Sequence, residues 1–152
     1  MQSINFDDGR ESFAINGDET RVIRFNPADP NLLVRCNEAI ERLATFRDKI
    51  PEGIKIAPDG TLVPEDGVKD MDVIEASIQE TNEEVRRVVN HIFLSDVYDT
   101  IFAGQSPFCP VGGGQFLIEA FMGAIEPVIR ERAKVAREAS EQRMNKYLAG
   151  YK

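Results

Sequence analysis

Apolar positions in this chain fall into one short alternating stretch and three long stretches with helical steps. In "ESFAINGDETRVIRFNP", Phe13 and Ile15 alternate with other residues before Asn16-Gly17, and Val22 to Phe25 supply a return strand. Asn and Gly both tolerate positive φ in a tight turn, so a β-hairpin is predicted over residues 10–26. A lone hairpin is marginal in water and must pack on a helix or join a partner's sheet. In "FNPADPNLLVRCNEAIERLATFRDKI", Asp29 is placed to cap a helix and Pro30 to open it, where its missing N–H does no harm. Leu32, Leu33, Cys36, Ile40, Leu43 and Phe46 then recur at helical steps, predicting a helix over 29–50 with Glu38 and Arg42 paired on its outer face.

Three prolines and three glycines in "IPEGIKIAPDGTLVPEDG" break this pattern, making 51–67 a structured linker with short strands at Ile54, Ile56, Leu62 and Val63. Over 68–104 an acidic helix is predicted. Met71, Ile74, Ile78, Thr81, Val85, Val88 and Ile92 step by threes and fours as a heptad seam with one threonine in it, and Glu83 and Arg87 add an i,i+4 pair. The helix either continues through "SDVYDTIF" or re-caps at Ser95, and Gly104 ends it. Residues 105–114, rich in Pro and Gly, read as a hinge. The last helix covers 115–149. Pro127 falls inside it and predicts a kink or a fresh start at Glu126. Beyond Arg130 its apolar face narrows to Val135, Ala136, Ala139, Met144, Tyr147 and Leu148, too little to bury within one fold. The fold class is therefore mainly α with a small N-terminal β-hairpin, a helical bundle with a long charged C-terminal helix, in a single domain over 1–152.

Charge narrows the function. The net charge is −8, against the basic surplus that phosphate neutralisation demands of a nucleic-acid binder. It is also unevenly placed. Ten acids face two lysines between Pro51 and Val85, whereas six basic residues outnumber three acids between Arg130 and Lys146. The two segments are either solvated helix faces or complementary surfaces of two molecules. There is no apolar run of bilayer length and no basic-then-apolar leader, so no membrane role is expected. Cys36 and Cys109 lie far apart among apolar neighbours and read as buried free thiols of a reducing, cytoplasmic compartment.

Candidate chemistry is sparse. Gly112-Gly113-Gly114 precedes a helix, where free N–H groups can hold an anion, but the Lys-Ser/Thr of a P-loop and the spacing of a dinucleotide fingerprint are both missing. His91, the single histidine, is followed by Asp96 and Asp99, a poor metal set, and Ser95 has no spacing that implies a triad. The acids around Asp59 lack the alternation of a calcium loop. No catalytic, cofactor-binding or metal-binding residue is assigned, and a non-enzymatic protein is expected. Phe102, Phe108, Phe116, Phe121 and Met122 are either core or a groove for an apolar partner helix.

The "FAING" hairpin, the helix entry "FNPADP", the acidic helix ending in "VYDTIFAG" and the closing "NKYLAGYK" together resemble tail-assembly chaperone-like proteins of tailed phages and prophages. The resemblance spans most of the chain. It implies a protein of the host bacterial cytoplasm that coats the helical tape-measure protein before tail-tube subunits polymerise around it, and that is commonly absent from the finished virion. The expected partners are a phage tape-measure or tail protein and further copies of the chain. Partner contacts are expected at Phe116, Phe121, Met122 and Tyr147, with Arg130, Arg137 and Arg143 as charged rim. A structural virion component, a head–tail connector or tail-completion protein, is the alternative.

Overall fold

In the computed structural model, the described residues are 1–45, 54–56, 58, 62–64 and 71–150. Strand β1 (Glu11–Ile15) pairs antiparallel with β2 (Asp18–Phe25). Asn16 (φ 53°) and Gly17 (φ 75°) make the predicted turn with both residues left-handed. The register shifts between Ala14 and Ile15, so β2 carries extra residues there. One of them, Arg21, donates to the carbonyls of Thr100 and Ile101 at 3.0 and 2.6 Å.

Helix α1 (Pro30–Ala44) starts as the sequence predicts, with the Asp29 carboxylate accepting from Asn31 N–H at 2.9 Å. It turns Leu32, Cys36 and Ala39 inward, while Ile40 is exposed, a correction of one position to the predicted face. The Glu38–Arg42 pair does not form; Arg42 reaches across to Glu84 at 4.0 Å. Phe46 and the rest of the predicted helix to 50 lie outside the described residues, as does the acidic loop around Asp59. Strands β3 (Ile54–Ile56) and β4 (Leu62–Pro64) form the small antiparallel pair expected in the linker.

Helix α2 (Met71–Phe93) buries Thr81, Val85, Val88 and Ile92 along the predicted seam, and Val89 and Phe93 widen it into a full core face. The side chains of Met71 and Ile74 lie outside the described residues. Thr81 satisfies its hydroxyl on the carbonyl of Ser77 at 2.8 Å, which explains a polar residue in an apolar seam. The predicted Glu83–Arg87 pair is replaced by Arg87–Glu84 and Arg86–Glu83. Of the two courses the sequence allows, the chain breaks rather than continuing: α2 stops at Phe93, Leu94 takes a left-handed φ of 49°, and α3 (Tyr98–Phe102) follows, capped at Val97 rather than Ser95. The Asn90 side chain holds the break by accepting from Val97 and Tyr98 N–H at 2.9 and 3.0 Å. Arg35 of α1 donates to the Ile92 carbonyl at 2.8 Å, closing the end of α2.

Beyond α3, β5 (Pro110–Val111) and β6 (Gln115–Phe116) flank a tight turn at Gly112–Gly114, in which Gly113 and Gly114 take φ of 83° and 73°, and lead into α4 (Leu117–Ala149). Helix α4 runs as one element through Pro127, so of the two expected outcomes the fresh start at Glu126 does not occur. The reason is local. Pro127 is exposed, and the carbonyl that loses its donor belongs to Gly123, also exposed, so water can replace the bond. The core lies where β2, α1, α2, α3 and the first half of α4 meet. Aromatic rings bridge these elements, with Phe13–Phe25, Phe25–Phe93 and Tyr98–Phe102 centroids 4.7, 5.1 and 4.9 Å apart.

Candidate functional site

Two of the first N–H groups of α4, which an anion at the glycine turn would need, are already used: Leu117 donates to the Cys109 carbonyl at 2.8 Å and Ile118 to the Pro107 carbonyl at 2.9 Å. These bonds seat the start of α4 on the preceding loop, so the glycines turn the chain sharply between packed elements.

His91, Asp96 and Asp99 do not converge either. His91 borders a shallow polar groove between α1 and α2, beside Arg35 and Arg42. Asp96 accepts from the Asn90 side chain at 3.3 Å, and Asp99 takes a two-pronged bond from Arg86 at 3.2 Å to each oxygen. That bond pushes the Arg86 guanidinium further toward its charged form, and the same group lies 4.3 Å from the Tyr98 ring centre. Burial raises the Tyr98 hydroxyl above its ordinary value, and burial pushes the Cys36 thiol up to about 11. Among the described residues no group of three His, Cys, Asp or Glu is placed to hold a metal ion. No helix among them is long and apolar enough to cross a membrane.

What distinguishes the molecule is α4. Its inner face buries Ile118 (3% exposed), Met122 (8%), Ile125 (6%) and Ile129 (1%), stepping by 4, 3 and 4. The same steps continue past the core as Ala133, Ala136, Ser140, Met144 and Tyr147. Each set repeats after eleven residues, three turns of 3.67, so one straight stripe runs the length of the helix. Met144 is 54% exposed and Tyr147 60%. From Lys134 to Gly150 every residue is exposed. Arg132 is bonded to Glu11 at the start of β1, and about 25 Å of helix extends beyond it.

The expected partner residues separate into three groups on this helix. Phe116 and Met122 belong to the chain's own core, Phe116 packing edge-on to Phe108 at 5.6 Å, so the expectation that they offer free contact surface is corrected. Hairpin and helix together are greasy enough to use them internally. Phe121 is half-buried. It touches the rings of Phe93 and Phe102, with centroids 6.3 and 6.2 Å away, and lines an open apolar groove of about 250 Å³. The other walls include Phe13 and Ile15 of β1 and Ala124 and Val128 of α4. Tyr147, Arg137 and Arg143 stand on the free arm, and Arg130 at its base. At 3.6 residues per turn, Arg130 and Arg137 flank one side of the stripe, and Arg132 and Arg143 the other. Arg130 is paired with Glu126 at 2.6 Å, whereas Arg137 and Arg143 have no ion pair among the described residues. The groove beside the hairpin was missed from sequence, because nothing in local periodicity tells where a hairpin will sit on a distant helix. The arm's stripe was partly visible, but Ala133, Ala136 and Ser140 hid its continuity with the core. Comparison of the chain with protein families, with curated proteins and with solved structures finds no match in any of the three.

Proposed function

We propose that this chain is a non-enzymatic assembly chaperone that docks an elongated helical partner along the free arm of α4. The observation that carries the reading is the core stripe of α4 running on past the body, with Met144 half in solvent, between arginine flanks. A helix in water keeps such a face when a partner's helix completes it. Unpaired Arg137 and Arg143 select a partner whose matching face is apolar with acidic edges. The resemblance to tail-assembly chaperone-like proteins supplies the specific partner, the tape-measure protein, whose exposed apolar helices need cover until tube subunits arrive. The chain's overall charge of −8 would keep that complex in solution.

Coexpression with the tape-measure protein encoded nearby is the test. A complex that survives purification, and a larger soluble fraction of the tape measure, are expected. Substituting Met144→Asp and Tyr147→Asp together should abolish both. An absent complex with no gain in solubility refutes the proposal. Stoichiometric presence in purified particles would replace it with the connector or tail-completion reading.

A further inference from the structure

Two exposed apolar features of this molecule match each other. The first is the leading segment. Residues 1–10 are exposed throughout, and Ile4 and Phe6 stand 90% and 79% in solvent. Placed two apart, they point to the same side of an extended chain. The second is the groove between the hairpin and α4, about 250 Å³ and mostly apolar, with Asn16 of the turn as its polar lining residue. Phe13, Ala14 and Ile15 of β1 border it in succession, so the strand's backbone as well as its inner face meets the opening. Strand β1 pairs with β2 alone in its sheet, leaving its other edge without a strand among the described residues.

We propose that the leading segment of one copy lies along β1 of a second copy and inserts Ile4 and Phe6 into its groove, the exchange being reciprocal. None of residues 1–10 of the same chain lines that groove. Asp7 accepts from Gly9 N–H at 2.8 Å, Asp8 accepts from Arg10 N–H at 3.1 Å, and Asn26 donates to the Asp8 carbonyl at 3.3 Å. Gly9 has a φ of 75°, and a Cβ there would sit 2.6 Å from the Asn26 amide. These contacts hold residues 7–10 beside Asn26, just past the end of β2. An added strand supplies main-chain bonds to the edge and side chains to the groove, the usual division of labour in strand addition. Burying an Ile and a Phe removes on the order of 350 Å² per segment, so two exchanged segments bury about 700 Å² of their own surface, to which the smaller groove openings and the added strand pairing contribute. That is the size of a small, reversible interface, so the dimer should build up with concentration. A reciprocal exchange closes as a twofold dimer and leaves the free arms of α4 outside it.

Molar mass by light scattering across a concentration series tests this. The wild-type mass is expected to rise with concentration toward twice 17.0 kDa, and Phe6→Asp to stay at the single-chain mass with an unchanged circular dichroism spectrum. The Phe6→Asp substitution lies on a fully solvated segment, so misfolding does not confuse the result. In a Cys109→Ser background, a copy carrying only Phe6→Cys is mixed with one carrying only Ala124→Cys, and a disulfide between the copies is expected. A single-chain mass for the wild type at all concentrations overturns the proposal. So does an unchanged dimer for Phe6→Asp, or the absence of a disulfide between the mixed single-cysteine copies. None of these measurements involves the tape-measure protein, so their failure leaves the chaperone reading standing, and the reverse also holds.

Discussion

Replacing Ile129 and Met144 separately with alanine compares two positions on one stripe of one helix. Ile129 is 1% exposed. Removing three buried carbons costs about 0.8 kcal/mol each in transfer, and the residual cavity raises the total to about 2–5 kcal/mol. Met144 is 54% exposed and touches no core, so its loss should change stability by less than about 0.5 kcal/mol. Alanine is the better helix former, which leaves the sign near neutral. Urea unfolding followed at 222 nm reads both. With a slope of about 1–3 kcal/mol per molar, Ile129→Ala should lower the midpoint by about 1 M or more, and Met144→Ala should leave it within experimental scatter. The runs are repeated at two protein concentrations, because an arm buried between copies would make the Met144→Ala effect depend on concentration. A loss above about 1 kcal/mol for Met144→Ala at high dilution would mean that the arm packs on its own chain. The free-arm argument, and the function built on it, would then fail.

Four further outcomes follow from the same contacts. Asn90→Ala strips the acceptor from the N–H groups of Val97 and Tyr98 and should cost about 1–3 kcal/mol, read as a fall in melting temperature. Asp29→Ala removes the cap of α1 and should cost about 1 kcal/mol, with Asp29→Asn recovering most of it in the same assay. In a Cys109→Ser chain the remaining Cys36 thiol should ignore a thiol reagent at pH 8 until urea unfolds the protein. Its raised value also sets a pH dependence. The folded state holds the thiol proton more tightly than the unfolded state, so this contribution is complete below pH 9. It is lost as pH climbs toward 11, and Cys36→Ala should flatten that decline in a pH series of unfolding midpoints.

The helices were legible because their buried faces are written in side chains of the right kind at the right step. Thr81 to Ile92 and Leu32 to Cys36 need only local spacing to be found. The errors have a common physical origin in tertiary contacts. Ala39 outcompetes Ile40 for the core because α2 packs close to α1 there. The long acidic helix stops at Phe93 because Asn90 and Arg35 satisfy the groups freed by the break. Neither residue advertises that task in sequence. Pro127 does not end the helix because the carbonyl that loses its donor belongs to exposed Gly123. The partner residues divided the same way. Charged positions on the arm lie where the spacing puts them, while Phe116 and Met122 were claimed by a core whose extent depends on how the hairpin docks.

Pro127 sits between Ile125 and Ile129, both enclosed by the body, and the Arg132–Glu11 bond lies beyond it. The one missing rung in the helix is thus gripped from both sides and cannot act as a pivot without drawing Ile129 into water. Bending that would let Tyr147 follow a curved rod is left to the roughly 25 Å of helix beyond Arg132.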